Sequence, residues 1–424
     1  MRIALIDGVR TPFVKSWADY NKLSALDLAR RAVQELIERS ELDINQLDEI
    51  VMGAVLSPTR TPNIAREIVI SLGLPKRIPG FTLGRACASG LQAVTSAAES
   101  MLAGKNQVVI AGGTESLSNV PVQYSKNFIQ SLMAFQKART VQQKMAALGS
   151  INPKKDLLPQ PPELTEVSTG RTMGQHAEEM ARQWGITREA QDAYAMMSHQ
   201  RAAAAVAAGR FNDEVAPVLA PPDSHPVTVD SYVRADTTVE QLGKLKPAFD
   251  RKYGTLTAGN SSGLTDGASA VLLMTEDKAK ALGYTPLAYI KGWAYAALDP
   301  EQGLLMGPSY ATPKVLDDCK LKLSDIDLVD MHEAFAAQVL CNLKAWESPA
   351  FAKEKLGRDM PLGAVDMSRF NVNGGSIALG HPFGATGGRM LVSTAHELKR
   401  RNGRYALLTL CAAGAMGVSM VIER

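Results

Sequence analysis

FTLGRACASGLQAVTSAAESMLAG, residues 81–104, is the stretch around which this chain is organised. It predicts a short strand, a turn, and a helix whose apolar side chains recur every three or four residues until Gly104. The pattern places Cys87 at the helix start, where unpaired N–H groups and the helix dipole favour a thiolate. The alternative is a small buried cysteine that packs behind a strand. Gly90, one turn further on, predicts room for a substrate to approach closely.

The composition is that of an ordinary globular protein, with 46% hydrophobic and 21% charged residues. A length of 424 residues is enough for two or three domains, and a net charge of +3 argues against a nucleic-acid partner. The N-terminal MRIALIDGVRTPF is typical of a strand and lacks a signal-peptide core. The four cysteines lack CxxC spacing, which favours a reducing compartment, so we expect a cytoplasmic protein. They are Cys87, Cys319, Cys341 and Cys411.

Strands and helices alternate through residues 1–118. Apolar runs at 2–7, 48–55 and 107–113 predict strands, and Ser24 to Arg39 predicts a capped helix between the first two. This alternation indicates an α/β layer with a largely parallel sheet.

The segment 119–245 differs in character and predicts an insertion. Between Asn119 and Lys155 it holds six basic residues and no acidic one, with apolar side chains at helical spacing. This favours one or two basic amphipathic helices, which could pack on their own domain, dock on a partner subunit or contact a membrane surface. A second helical region follows, and its histidines, His176 and His199, are expected to be solvated.

The remainder of the chain repeats the first layer. Five elements recur in one order, so the sequence predicts a duplicated α/β unit with a shared site between the halves. The echoes pair 287–292 with 3–8, 326–331 with 49–52, 370–398 with the Cys87 unit, 405–410 with 108–113, and 418–422 with 270–274.

Three loops in the second half carry chemistry: MHEAFA with His332, GSIALGHPFGATG with His381, and CAAGAMG with Cys411. Each follows a predicted strand or turn, where α/β sheets bind ligands. His381 could serve as the base that Cys87 needs, and Cys411 as a soft acid/base. Taken singly, each residue could be structural, and GHPFGATG lacks the lysine of a phosphate-binding loop. The histidines and cysteines lack short ligand spacing, so no metal site is predicted.

Together these motifs resemble the thiolase family, and within it the β subunits of fatty-oxidation trifunctional complexes. The resemblance spans nearly the whole chain and implies the duplicated α/β/α layered fold with an inserted loop domain over the substrate. The domains it implies are 1–118 with 246–275, the insertion 119–245, and 276–424. The motifs are RACASG, GGTES, STGRTMGQHAEEMA, FDRKYGTLTAGNSSGLTDGA, HEAFA, GHPFGATG and CAAGAMG.

The resemblance implies a ping-pong thiolysis of 3-ketoacyl-CoA, with coenzyme A as co-substrate and no tightly bound cofactor. It makes Cys87 the nucleophile, His381 its activator, Cys411 the acid/base, and His332 the holder of a water in the first oxyanion hole. The second oxyanion hole would consist of the N–H groups of Cys87 and Ala413. Three further residues would line the pantetheine channel: Met173, Ser262 and Phe335.

The chain departs from the common thiolase pattern at three positions. His332 stands where many thiolases have asparagine, and Gly84 where an asparagine often precedes the nucleophile. Ala413 replaces the first glycine of the terminal CxGG pattern, and an alanine resists positive φ.

Several other functions share part of this pattern. A short-chain acetoacetyl-CoA thiolase would use the same residues, and a non-catalytic scaffold subunit would keep the fold. A ketoacyl synthase or a cysteine protease would not need Cys411. The resemblance also implies at least a homodimer, and an α subunit with hydratase and dehydrogenase activities as a further partner.

Overall fold

The computed structural model describes residues 1–159, 165–222 and 224–424. The strands are β1 (Ile3–Arg10), β2 (Val14–Lys15), β3 (Glu49–Gly53), β4 (Gly80–Leu83), β5 (Val108–Glu115), β6 (Thr165–Glu166), β7 (Arg171–Thr172), β8 (Val218–Ala220), β9 (His225–Val227), β10 (Thr265–Thr275), β11 (Ala288–Ala297), β12 (Leu328–Met331), β13 (Tyr405–Ala412) and β14 (Met416–Glu423).

The helices are α1 (Ala25–Arg39), α2 (Ile64–Ser71), α3 (Ser89–Leu102), α4 (Lys126–Lys137), α5 (Val141–Gly149), α6 (Pro153–Asp156), α7 (Met173–Gln183), α8 (Arg188–Ala207), α9 (Val239–Gly243), α10 (Glu276–Ala281), α11 (Gly307–Cys319), α12 (Ala336–Glu347), α13 (Pro349–Leu356), α14 (Ser376–Leu379) and α15 (Thr386–Arg400). Among the described residues, no helix has the length and apolar character needed to cross a membrane.

The chain divides into two compact units. The smaller comprises 58–60 and the described residues of 120–164, and the larger comprises the rest. In the smaller unit, the predicted basic amphipathic helices are confirmed as α4 and α5. The Asp156 carboxylate accepts hydrogen bonds of 2.7 Å from Ser125 Oγ and Asn127 Nδ2, which ties α4 to α6. Apolar side chains of α4 and α5 are exposed, among them Ile129, Met133, Val141 and Met145.

A ten-stranded mixed sheet forms the centre of the larger unit. Its order is β12-β13-β14-β11-β1-β10-β5-β3-β4, with β2 paired to β10. The pairs β3–β4, β3–β5 and β12–β13 are parallel, and the remaining pairs are antiparallel. The expectation of a largely parallel sheet is confirmed within each half. In the first, β1, β3, β4 and β5 run in one direction and β10 opposes them. In the second, β11, β12 and β13 share a direction and β14 opposes them, because the three residues between β13 and β14 allow only an antiparallel hairpin.

The predicted duplication is confirmed by the strand order. The first half reads β1-β10-β5-β3-β4, and the second reads β11-β14-β13-β12, followed by a bridge from Val329 to Phe370. The halves join where β1 pairs antiparallel with β11, with Ile3 opposite Ile290. One sheet therefore runs through both repeats.

Helices cover the sheet and complete the layers. α1 begins at the predicted capping box, in which Ser24 and Asp27 bond each other's backbone N–H groups. Leu28, Val33 and other residues of α1 bury one face against the first half. α3 and α15 share a single apolar cluster with residues of both half-sheets. The packing of α3 against α15 brings the start of α3, just after Cys87, beside the start of α15.

Candidate active site

Cys87 lies in a tight turn between β4 and α3. Ala86 adopts a left-handed φ of 45°, unusual for a residue with a side chain. Ser89 Oγ accepts the Arg85 N–H at 2.8 Å and donates to the Ala86 carbonyl oxygen at 2.6 Å, so the turn is held by its own side chain. α3 begins at Ser89, so Cys87 precedes the helix rather than starting it.

Gly90 makes room for protein backbone. A Cβ on Gly90 would lie 2.7 Å from the Gly384 carbonyl oxygen and 3.0 Å from the Gly388 nitrogen. The loop that carries His381 therefore approaches α3 at this point. The expectation that Gly90 leaves space for a substrate was wrong, because the second half of the chain fills that space.

Cys87 and His381 are hydrogen-bond partners across the two halves, with Nε2 of the histidine 3.2 Å from Sγ. Burial lowers the pKa of His381 to about 3, and the charge of Arg389 acts in the same direction. Burial raises the pKa of the Cys87 thiol to about 12, opposed by the N–H groups of Ala413 and of Cys87 itself. Both shifts favour the neutral thiol and imidazole over the thiolate expected from the helix end, because desolvation opposes the charged forms.

His332 follows β12 and lies against His381, with ring centroids 4.2 Å apart. Its Nδ1 lies 3.0 Å from Ser376 Oγ. Nε2 is buried, and the described residues provide it with no hydrogen-bond partner. Burial, reinforced by the charges of His381 and Arg389, lowers the pKa of His332 well below its usual value. The ring is therefore neutral, with one nitrogen free to bind a small polar molecule.

Cys411 is the second-last residue of β13 and is buried, with 1% of its surface exposed. Burial raises the pKa of this thiol well above its usual value, and a negative charge on Cys87 would raise it further. After Cys411, positive φ falls on Gly414 and Ala415, at 78° and 54°, and not on Ala413. Ala413 is thus unstrained, and its N–H faces the Cys87 sulfur.

The fold also brings together three potential metal ligands that are far apart in sequence. Cys87 Sγ and one ring nitrogen each of His332 and His381 lie within 4.8 Å of one another. Sequence spacing could not reveal this set, because its members come from three loops. Cys87 and His381 are already joined by the thiol–imidazole hydrogen bond. The absence of a metal stays a prediction.

Comparison with known proteins identifies the family. The thiolase N-terminal domain model matches residues 3–277, and the thiolase C-terminal domain model matches residues 284–424. The chain belongs to the thiolase family. It is 49% identical to a 3-ketoacyl-CoA thiolase of Yersinia enterocolitica and 48% identical to one of Klebsiella pneumoniae. Each match covers 100% of this chain and 97% of the relative.

Solved thiolase structures share the fold. The acetyl-CoA acetyltransferase of Bacillus anthracis and human mitochondrial 3-ketoacyl-CoA thiolase both give a TM-score of 0.84 at 33% identity. The human enzyme in complex with CoA gives 0.83 at 33% identity. All three comparisons cover 100% of this chain and 98% of the other. The predicted thiolase-like layered fold is confirmed.

The three residues expected to line the pantetheine channel lie on segments that contact residues of the site. Met173 begins α7 and packs in the same apolar cluster as Phe335 and Cys411. Ser262 donates its N–H to the Ala334 carbonyl oxygen at 3.0 Å. Further along that segment, Gly263 accepts the N–H of His381, so the segment lies beside the histidine.

Two buried glutamates support the site, and neither was singled out from the sequence. Glu333 accepts hydrogen bonds of 2.7–3.1 Å from Tyr194, Ser198, Asn371 and the N–H of Ile377. Glu115 accepts the N–H groups of Val55, Leu56 and Gly384 at 2.9–3.1 Å. The sequence offered one signal for these two residues, since each is the acidic residue of its motif: Glu333 in HEAFA and Glu115 in GGTES.

The two histidines of the helical region are buried. His176 is 2% exposed and bonds Thr169, and His199 is 5% exposed and accepts the Arg234 N–H. The expectation that both are solvated was wrong, because His176 and His199 lie on the buried faces of α7 and α8.

Proposed function

We propose that this chain is a 3-ketoacyl-CoA thiolase, an acetyl-CoA C-acyltransferase of fatty acid β-oxidation. It would convert a 3-ketoacyl-CoA and CoA into acetyl-CoA and an acyl-CoA shortened by two carbons. The observation that carries the proposal is the contact of 3.2 Å between Cys87 Sγ and His381 Nε2. The 48–49% identity to proteins with this activity supports the substrate class.

The first half-reaction forms the acyl-enzyme. His381 Nε2 takes the Cys87 proton as the sulfur attacks the 3-keto carbon, so no resting thiolate is needed. The N–H groups of Cys87 and Ala413 stabilise the tetrahedral oxyanion. When the Cα–Cβ bond breaks, the electron pair passes to the enolate of acetyl-CoA. That enolate oxygen accepts hydrogen bonds from protonated His381 and from a water held by His332.

Cys411 completes the proton balance. It protonates the acetyl-CoA carbanion and becomes a thiolate, then takes the proton of the incoming CoA thiol. The CoA sulfur attacks the acyl group on Cys87, and the departing Cys87 sulfur recovers its proton from His381. Burial suits Cys411 to this role, because its raised pKa keeps it protonated until the carbanion forms.

Substrate contacts and domain roles belong to the same proposal. Met173, Ser262 and Phe335 line the pantetheine channel, and the insertion 119–245 covers the CoA and acyl chain. The segments 1–118 with 246–275 and 276–424 act as the two thiolase domains. CoA acts as a co-substrate, as the complex of the human relative with CoA suggests.

The setting and partners are also proposals. A cytoplasmic location is supported by four free cysteines. A homodimer or dimer of dimers is the assembly we expect. The exposed apolar and basic side chains of α4 and α5 favour contact with an α subunit or with a membrane surface.

An acetoacetyl-CoA thiolase is the second candidate. The specific observation in its favour is the equal TM-score to the Bacillus anthracis acetyl-CoA acetyltransferase. The fold therefore does not separate the two activities, and substrate length must be measured. A non-catalytic scaffold is less well supported, because the thiol–imidazole pair is intact.

Thiolysis of acetoacetyl-CoA and 3-ketohexadecanoyl-CoA tests the proposal, followed by loss of the absorbance of the magnesium complex of the 3-ketoacyl-CoA. We expect activity on the long substrate and its loss in Cys87→Ser. The matched control is Cys319→Ser, which removes a thiol from α11 and should retain activity. Activity on acetoacetyl-CoA alone would favour the second candidate, and cleavage of neither substrate would overturn both.

A further inference from the structure

The two adjacent histidines of the site, His332 and His381, are fixed by hydrogen bonds to different partners. Each has its Nδ1 close to one hydroxyl, Thr386 for His381 at 2.7 Å and Ser376 for His332 at 3.0 Å. The two hydroxyls have different further partners. A neutral imidazole carries its proton on one nitrogen, and the hydrogen bond at the other decides which.

We propose that the two histidines are held in opposite neutral tautomers, His381 protonated at Nδ1 and His332 at Nε2. Ser376 and Arg389 are then positioning residues that set the proton on His332. The tautomers themselves follow from geometry, and only their catalytic consequence rests on the proposed function.

The tautomer of His381 follows from Thr386. The Thr386 hydroxyl lies 3.1 Å from the Pro382 carbonyl oxygen, which can only accept a hydrogen bond. The hydroxyl proton therefore points to Pro382, and its oxygen accepts the proton on His381 Nδ1. Nε2 keeps a lone pair for the Cys87 thiol.

The tautomer of His332 follows from Arg389. A guanidinium only donates, and Arg389 Nη2 lies 3.0 Å from Ser376 Oγ. The donation occupies a lone pair of the hydroxyl, and Nδ1 of His332 is the other partner that the described residues offer it. A proton on Nδ1 would leave the buried hydroxyl hydrogen unpaired. The favourable arrangement has Ser376 donating to Nδ1, with the imidazole proton on Nε2.

Arg389 is itself fixed in place. It is 1% exposed, and its Nη1 lies 3.6 Å from Asp330 Oδ2. Thr394 donates to the same carboxylate oxygen at 3.1 Å. An arginine does not lose its proton in the ordinary pH range, so the direction of this hydrogen-bond chain is constant.

The consequence concerns the oxyanion. The Nε2 of His332 is the buried nitrogen to which the described residues offer no partner. As a donor it would bind a water through the water's oxygen, leaving both water hydrogens for the substrate. As an acceptor it would consume one of them. The pair thus provides a base at His381 and a donor at His332 simultaneously.

Nitrogen-15 NMR of the full chain labelled at its six histidines tests the tautomers. His332→Asn and His381→Asn assign the two rings by loss of their signals. We expect the His332 signals to report protonated Nε2 with an accepting Nδ1, and His381 the reverse. Identical tautomers, or a proton on His332 Nδ1, would overturn the proposal.

Variants test the positioning residues. Ser376→Ala should convert His332 to a mixture of tautomers and lower kcat by about tenfold to a hundredfold with little change in KM. Ser376→Thr, which keeps the hydroxyl, should restore both. Thr386→Val should alter His381 alone. Ser393→Ala, on the same helix as Arg389 but bonded to Glu214, should alter neither ring.

The outcomes separate the two proposals. The expected tautomers without thiolysis would leave this inference standing and remove the proposed function. Thiolysis with a His332 signal unaffected by Ser376→Ala would retain the function and overturn the role of Ser376. Ser376→Ala removes one oxygen, which breaks the hydrogen-bond chain between Arg389 and His332 and leaves both members of the buried Arg389–Asp330 pair in place.

Discussion

At the scale of single residues, the site depends on the protonation state of Cys87 and His381. The sequence motifs identify both residues, but they suggest a thiolate, because helix position is visible in sequence and desolvation is not. In the folded chain, desolvation acts on both the half-buried Cys87 thiol and the buried His381 imidazole and favours their neutral forms. In the proposed reaction, the proton would therefore pass from Cys87 to His381 as the sulfur attacks.

This state predicts how alkylation of Cys87 depends on pH. Since the pKa of the thiol is raised to about 12, the thiolate fraction should grow about tenfold per pH unit from pH 7 to 10. The rate of modification by iodoacetamide should rise without a plateau over that range. Mass spectrometry of the Cys87 peptide measures it.

Cys87→Ser serves as the control for alkylation at the half-buried Cys319. A rate that is already constant from acidic pH would indicate a preformed thiolate–imidazolium pair and would contradict this prediction.

At the scale of elements, close backbone approach determines how the loops meet. Apolar periodicity predicted most elements, including α1 with its capping box, and the repeat predicted their order. The alternation of strands and helices predicted the shared direction of most strands in each half, but it did not record that β10 and β14 run against their neighbours. β5 and β10 are separated by residues 116–264, yet they pair antiparallel like β13 and β14, which a short turn connects.

Gly90→Ala is expected to disturb the contact between α3 and the loop of His381. The new methyl would lie 2.7 Å from the Gly384 carbonyl oxygen, so backbone must move. We expect a loss of about 1–3 kcal/mol in the free energy of unfolding, together with reduced thiolysis. Urea unfolding followed by circular dichroism measures the first effect.

The comparison variant for Gly90→Ala is Gly243→Ala at the end of α9. There a Cβ would meet no atom within 4 Å, so stability should be unchanged or slightly higher. Equal stability of the two variants would show that the loop tolerates a side chain at residue 90.

At the scale of the whole molecule, several titratable groups outside the proposed catalytic set are buried. His199 of α8 is one, because burial, reinforced by the charge of Arg234, lowers its pKa to about 4. The duplicated fold could be predicted from sequence repeats, whereas this burial could not. It depends on which distant elements cover α8.

His199 predicts an acid-sensitive contribution to stability. Above pH 6.5 the ring is neutral in both the folded and the unfolded chain. As the pH falls from about 6.5 toward 4, the unfolded chain binds the proton first, so stability is lost, by about 1 kcal/mol over the first unit. His199→Gln should reduce this loss when urea midpoints are compared at pH 7.5 and 5.5.

His225→Gln is the matched change at an exposed histidine and should keep the wild-type pH dependence. If His199→Gln and the wild type lose stability equally on acidification, protonation of His199 does not contribute to the acid-induced loss of stability.

The pairing of β1 with β11 also limits how the two halves can move. Ile3, Ala4 and Leu5 share a ladder with Ile290, Tyr289 and Ala288, so a hinge between the repeats would have to break sheet hydrogen bonds. Enzymes that close two lobes around a substrate spend microseconds to milliseconds on that motion. The ladder between β1 and β11 opposes such a motion, so we expect the separation between the Cys87 sulfur and the His381 imidazole to change little during the proposed reaction.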